Sequence, residues 1–92
     1  MSHAKPLLEG KTCLVTGASS GIGRAIAQAA ASAGARILVL GRNPDRLSDT
    51  FASLSGTGHD QICTDLVEPE KFLPEVAAVL ERHGPIDGFV HA

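Results

Sequence analysis

Between residues 12 and 40, two five-residue apolar runs flank a glycine-rich turn and a helical stripe, and few folds accept that order. Thr12-Cys13-Leu14-Val15-Thr16 follows Gly10, and Arg36-Ile37-Leu38-Val39-Leu40 follows Gly34. Both runs are nearly continuous in apolar residues, as strands covered on both faces must be. Between them Ile22, Ala25, Ile26, Ala29, Ala30 and Ala33 recur at helical spacing, with Gly34 as a natural stop. A buried strand, a helix-length crossover and a second buried strand make one parallel unit.

The same alternation continues to the end of the chain. Leu47, Phe51 and Leu54 form a second helical stripe, with Asn43 suited to its N-cap and Pro44 to its first residue. Gln61-Ile62-Cys63-Thr64 reads as a third strand after Gly56-Thr57-Gly58. Phe72, Val76, Val79 and Leu80 mark a third helix that ends in Arg82-His83-Gly84. Pro74 removes a ladder bond there, which predicts a short turn over 69–73 and the main helix from about Pro74. Ile86-Asp87-Gly88-Phe89-Val90 is the fourth strand. The order β-α-β-α-β-α-β, with right-handed crossovers, predicts an α/β, three-layer αβα fold with strands ordered 3-2-1-4. That is the first half of a Rossmann-like doubly wound parallel sheet. Residues 1–10 read as a tail, and 11–92 as the N-terminal part of a dinucleotide-binding domain.

Composition removes several alternatives. Eight Lys plus Arg against ten Asp plus Glu leave a net charge of −2, so there is no basic excess for nucleic acid. No apolar stretch approaches the ~20 residues that span a bilayer, and the first residues lack the apolar core of a secretory signal. Two cysteines do not make a disulfide framework, and a reducing cytoplasm is the expected compartment. Cys13 and Cys63 read as buried thiols on strands 1 and 3, about 10 Å apart at ~4.8 Å per strand, too far to bridge. The histidines His3, His59 and His83 show no metal-ligand spacing, so no metal site is expected.

The turn Thr16-Gly17-Ala18-Ser19-Ser20-Gly21-Ile22-Gly23 joins the first strand to the first helix. Ligands of open α/β sheets bind outside the carboxyl ends of the strands, where the strand order reverses, here between strands 1 and 4. Gly17 suits a tight turn, Gly21 a close approach of backbone to a diphosphate, and Gly23 tight packing of the helix. Ser19 and Ser20 add hydroxyl donors, and the helix N-terminus favours an anion. The spacing is G-x-x-x-G-x-G rather than G-x-G-x-x-G, and no Gly-Lys-Ser/Thr follows, which excludes a P-loop. At the end of the second strand an acid would accept from a ribose 2′-hydroxyl; the chain instead carries Gly41-Arg42-Asn43. The Arg42 guanidinium suits a 2′-phosphate, which favours NADP(H), with NAD(H) as the alternative. Asn43 can share that contact while capping the helix.

From Thr16 to Gly23 the chain resembles the short-chain dehydrogenase/reductase family, whose T-G-x-x-x-G-I-G signature stands here without departure; the resemblance runs from Gly10 to Ala92. It implies that Ile22 belongs to the cofactor site, that Asp65 contacts the adenine amino group and that Leu66 lies against the ring. His91 and Ala92 take the places of the two asparagines of the family's N-N-A-G motif, near the cofactor ribose. The histidine there is a departure. The family transfers hydride between a nicotinamide and a carbonyl or alcohol carbon, with a tyrosine proton donor beyond N-N-A-G. This chain has no tyrosine, so phenol acid catalysis is impossible within it and no catalytic residue is assigned.

The leading expectation is the cofactor-binding portion of an NADP(H)-dependent oxidoreductase acting on a small carbonyl or alcohol, such as a 3-oxoacyl thioester. The resemblance implies a homo-oligomer, dimer or tetramer, for the full-length enzyme. A stand-alone nucleotide-binding module or inactive remnant is the second reading. An S-adenosylmethionine methyltransferase is the third, and it wants an acid where Gly41-Arg42 stands.

Overall fold

The computed structural model describes residues 7–19, 21–64 and 69–92. It contains β1 (Thr12–Thr16), α1 (Gly21–Ser32), β2 (Arg36–Gly41), α2 (Pro44–Ala52), β3 (Asp60–Cys63), α3 (Pro69–His83) and β4 (Gly88–His91). The four strands form one parallel sheet in the order β3-β2-β1-β4. The doubly wound half-sheet expected from the alternation is therefore present, with β1 in its interior and the order reversing between β1 and β4.

Strand periodicity sorts the core into two layers. Val15, Ile37 and Val39 point to one face and pack with Ala27, Ala31, Leu47 and Leu54 under α1 and α2. Leu14, Leu38, Leu40 and Ile62 point to the other and meet Val79 of α3. In β2 every residue after Arg36 is buried, because helices cover both of its faces.

Three expectations need correction. The α1 face toward the sheet is Gly23, Ala27 and Ala31, flanked by half-buried Ile26 and Ala30, while Ile22 (73% exposed), Ala25 and Ala29 face outward. In so alanine-rich a helix apolarity barely distinguishes the two stripes. Closeness of approach decides, and the smallest residues turn inward. Second, α3 runs unbroken through Pro74. Pro74 lies in its second turn, where one ladder bond is lost, and packing of Val76 and Val79 beyond it offsets that loss. Third, Cys63 is exposed, because β3 is an edge strand that buries only Ile62 fully. Its thiol lies 3.7 Å from the Arg42 carbonyl. Cys13 is half-buried; burial, and then the Asp87 carboxylate, push its thiol pKa up, so it stays protonated and a poor nucleophile.

Polar contacts tie the elements at their ends. The Asn43 side chain accepts from the Arg46 N–H at 3.0 Å with Pro44 as first residue, the expected cap of α2. The fully buried Thr50 hydroxyl donates to the Ala18 carbonyl at 2.8 Å, fastening α2 to the glycine-rich turn. His59 Nδ1 accepts from the Ile37 N–H at 2.9 Å, which leaves Nε2 to donate to the Ser55 carbonyl.

Asp60 Oδ2, at the start of β3, receives both Arg82 Nη2 at 2.9 Å and His83 Nε2 at 3.1 Å from the end of α3. Burial pushes the Asp60 carboxyl up. Hydrogen bonds from His83, the Gln61 N–H and Arg82, with the Arg82 charge, outweigh it and hold the pKa below the ordinary value. The unfolded chain therefore takes up this proton first as pH falls. The stabilisation is complete above about pH 4 and is lost progressively as pH drops toward the folded value. Asp60→Asn is expected to lower stability at pH 7 by up to about 1 kcal/mol, since Arg82 is largely exposed. The acid limb of the stability profile should flatten correspondingly. Urea melts from pH 7 to pH 2.5 measure both, and an unchanged acid limb would refute the clamp.

Candidate dinucleotide site

The carboxyl ends of β1, β2 and β4 open onto one cleft of about 470 Å³. Its floor is Gly17 and Leu40. Ser19 comes from the turn after β1, Arg42 and Asn43 from the end of β2, and Arg46 from the first turn of α2; Thr64 follows β3, and His91 and Ala92 end β4. Six residues singled out in the sequence, Gly17, Ser19, Arg42, Asn43, His91 and Ala92, thus meet in one place. Gly21, Ile22 and Gly23 lie at the start of α1 and do not line the cleft. Ser20, Asp65 and Leu66 fall outside the described residues.

The three glycines are required for different reasons. Gly17 adopts φ +65, which an L side chain rarely does, and a Cβ on it would collide with the Ala92 carbonyl. A Cβ on Gly23 would collide with the Gly17 carbonyl, so α1 starts directly against the turn. Gly21 has neither constraint, for its φ is not positive and a Cβ would meet none of the described residues within 4 Å beyond its own helix and chain neighbours. The space above it is open at the N-terminal turn of α1.

That turn is electrostatically suited to an anion. The amides of Gly21 and Ile22 belong to a first turn, where the helix supplies no acceptor, and no acidic residue stands in it. The Ala18 amide is committed elsewhere, donating to the Leu40 carbonyl at 3.1 Å. Arg42 and Arg46 bring two positive charges to the β2 end, and among the described residues no acidic side chain lines the cleft. A group with phosphates at two places, one over the helix start and one near the arginines, fits these residues. Among the described residues no three His, Cys, Asp or Glu side chains converge as metal ligands, and no helix is long and apolar enough to cross a membrane.

Sequence reasoning missed Arg46 and Thr50. Arg46 carried a signal, standing three residues after the Asn43 cap, so the first turn of α2 brings it to the cleft. Thr50 carried none, since a lone threonine on a helix stripe does not announce a hydrogen bond to a distant carbonyl.

The model of the short chain dehydrogenase family matches residues 11–92. The chain belongs to the short-chain dehydrogenase family. Among its family relatives, a protein assigned as ketoacyl reductase 1 of the granaticin polyketide synthase of Streptomyces violaceoruber is 41% identical over 91 residues. That match covers 96% of this chain and 31% of the relative. The 2,3-dihydro-2,3-dihydroxybenzoate dehydrogenase of Bacillus subtilis is 38% identical over 86 residues, covering 91% of this chain and 33% of the relative. A short chain dehydrogenase structure from Escherichia coli CFT073, solved with NADPH, superposes with TM-score 0.87 at 30% identity, over 97% of this chain and 39% of that one. This family member thus spans about a third of the length of these two sequence relatives.

Proposed function

We propose that the chain supplies the cofactor-holding part of an NADP(H)-dependent short-chain oxidoreductase that reduces a small carbonyl or oxidises the corresponding alcohol. The observation that carries this reading is the cleft at the carboxyl end of the sheet, which brings the glycine-rich turn at Gly17 and Ser19 together with Arg42 and Arg46, the α1 start following directly on that turn. The bound cofactor would supply hydride to a carbonyl carbon or take it from an alcohol carbon. The residues present here bind and orient. The amides of Ser19, Gly21 and Ile22 and the Ser19 hydroxyl would hold the diphosphate, with Ser20 as a further donor by its place in the signature, while Gly17 and Gly23 shape the turn. Arg42, seconded by Arg46, holds a 2′-phosphate, and Asn43 shares that contact through the side-chain amide its cap leaves over. Asp65 and Leu66 would take the adenine, and His91 and Ala92 would lie near the cofactor ribose. The relationship to a ketoacyl reductase and the fold shared with an NADPH complex support the substrate class and the coenzyme. The full-length protein would be a soluble cytoplasmic homo-oligomer.

Titration with NADPH, NADH and S-adenosylmethionine tests the reading, with NADPH expected to bind tightest and S-adenosylmethionine not at all. Binding of S-adenosylmethionine alone would overturn it. Arg42→Ala is expected to weaken NADPH about 10- to 100-fold, the worth of one or two charge-assisted bonds, while NADH changes less than about threefold. Equal weakening of the two would remove the 2′-phosphate from Arg42. Hydride transfer to a ketone by the intact protein separates an oxidoreductase from a binding module.

A further inference from the structure

We propose that Thr50 of α2 is a positioning residue for the dinucleotide: its buried hydroxyl holds the Ala18 carbonyl and so aims the Ser19 amide for the diphosphate. The inference rests on the cofactor reading above and concerns a residue that does not itself line the cleft. The Thr50 side chain is fully buried, and its Oγ1 donates to the Ala18 carbonyl at 2.8 Å, across 32 residues of chain.

Thr50 stands one turn after Leu47, on the stripe that α2 buries. An apolar side chain of the same size would fill that place without desolvating a hydroxyl. A threonine within a helix also has an acceptor at hand in the carbonyl four residues back, yet this one reaches out of its helix to the glycine-rich turn. Its backbone is fixed from the other side. Ser53 Oγ donates to the Thr50 carbonyl at 2.6 Å, and Gln28 Nε2 of α1 donates to Ser53 Oγ at 2.9 Å. Both helices therefore hold the donor in place.

The bond acts on the turn through peptide planarity. The Ala18 carbonyl and the Ser19 N–H belong to one peptide, and in a trans peptide they point to opposite sides. Drawing the carbonyl toward Thr50 turns the Ser19 N–H away from α2. The preceding peptide is fixed independently, since the Ala18 N–H donates to the Leu40 carbonyl at 3.1 Å. The two peptides that flank Ala18 are thus locked, one by β2 and one by Thr50, and Ser19 beyond them lines the cleft. Without the Thr50 hydroxyl the second peptide loses its anchor, and binding must then order it. Arg42 and Arg46 come from the end of β2 and the first turn of α2, so the 2′-phosphate side does not depend on this bond.

The test is calorimetric titration of the intact protein with NADPH, NADH and adenosine 2′-monophosphate, which carries the adenine and the 2′-phosphate but no diphosphate. Thr50→Val keeps the shape and removes the donor. It should weaken NADPH and NADH alike by about three- to tenfold, the worth of one hydrogen bond, and change the monophosphate less than about twofold. Thr50→Ser keeps the donor and removes a buried methyl. It should lower the urea midpoint yet bind NADPH within about twofold of wild type. Equal weakening by serine and valine would tie affinity to stability rather than to the hydroxyl and overturn the proposal. A Thr50→Val protein that binds both dinucleotides like wild type, or that loses the monophosphate to the same degree, would also overturn it. Each of these results leaves the cofactor reading standing. Wild-type protein that binds neither dinucleotide overturns both.

Discussion

Gly17→Val is expected to destabilise the protein by more than about 2 kcal/mol and to abolish dinucleotide binding, whereas Gly21→Ala should abolish binding without loss of stability. At Gly17 two penalties add. The left-handed conformation costs an L residue roughly 1–2 kcal/mol, and the new side chain would push against the Ala92 carbonyl, opening the end of β4. At Gly21 the side chain enters empty space in a first helical turn. Alanine there is neutral or stabilising by up to about 1 kcal/mol, yet it fills the volume a diphosphate would need. Urea denaturation and NADPH titration of both variants read the two effects separately. A Gly21→Ala protein that binds NADPH like wild type would mean that the anion does not lie over the helix start.

Leu38→Ala is expected to remove about 2–5 kcal/mol, a loss comparable with the whole stability of a small domain. Leu38 is fully buried in β2, the strand packed between helices on both faces, and it belongs to the layer formed with Leu14, Leu40, Ile62 and Val79. That layer has few members to close a cavity, because a single helix covers it. Phe89→Ala offers the contrast. The ring is larger, but it is 62% exposed, and its removal should change the urea midpoint little. Equal losses from the two substitutions would contradict the assignment of the core to β2.

The sheet was legible because β1 and β2 are apolar on both faces, and that pattern has few structural solutions. The cap of α2 was legible because Asn43-Pro44 acts locally. The orientation of α1 was not, since its face is chosen by contact with Gly17 and Ala18, residues whose positions depend on the completed turn. Pro74 misled for the opposite reason. A local rule against proline was outweighed by packing that only the folded state supplies. In the cleft, Gly17, Arg42 and His91 announced themselves through spacing or strand position. Arg46, and the 2.8 Å contact between the Thr16 hydroxyl oxygen and His91 Nδ1, emerge only when elements distant in sequence are laid side by side.

Gly41 decides where coenzyme preference is free to drift. A Cβ there would press to 3.0 Å from the Ser19 hydroxyl and 3.4 Å from Leu47. A side chain at that codon would require Ser19 and Leu47 to give by a few tenths of an ångström. Position 42 is exposed and meets no such obstacle. On the proposed cofactor reading, a change at position 42 alters the charge beside the ribose without moving a neighbour, whereas one at position 41 requires the Ser19 side chain to give way.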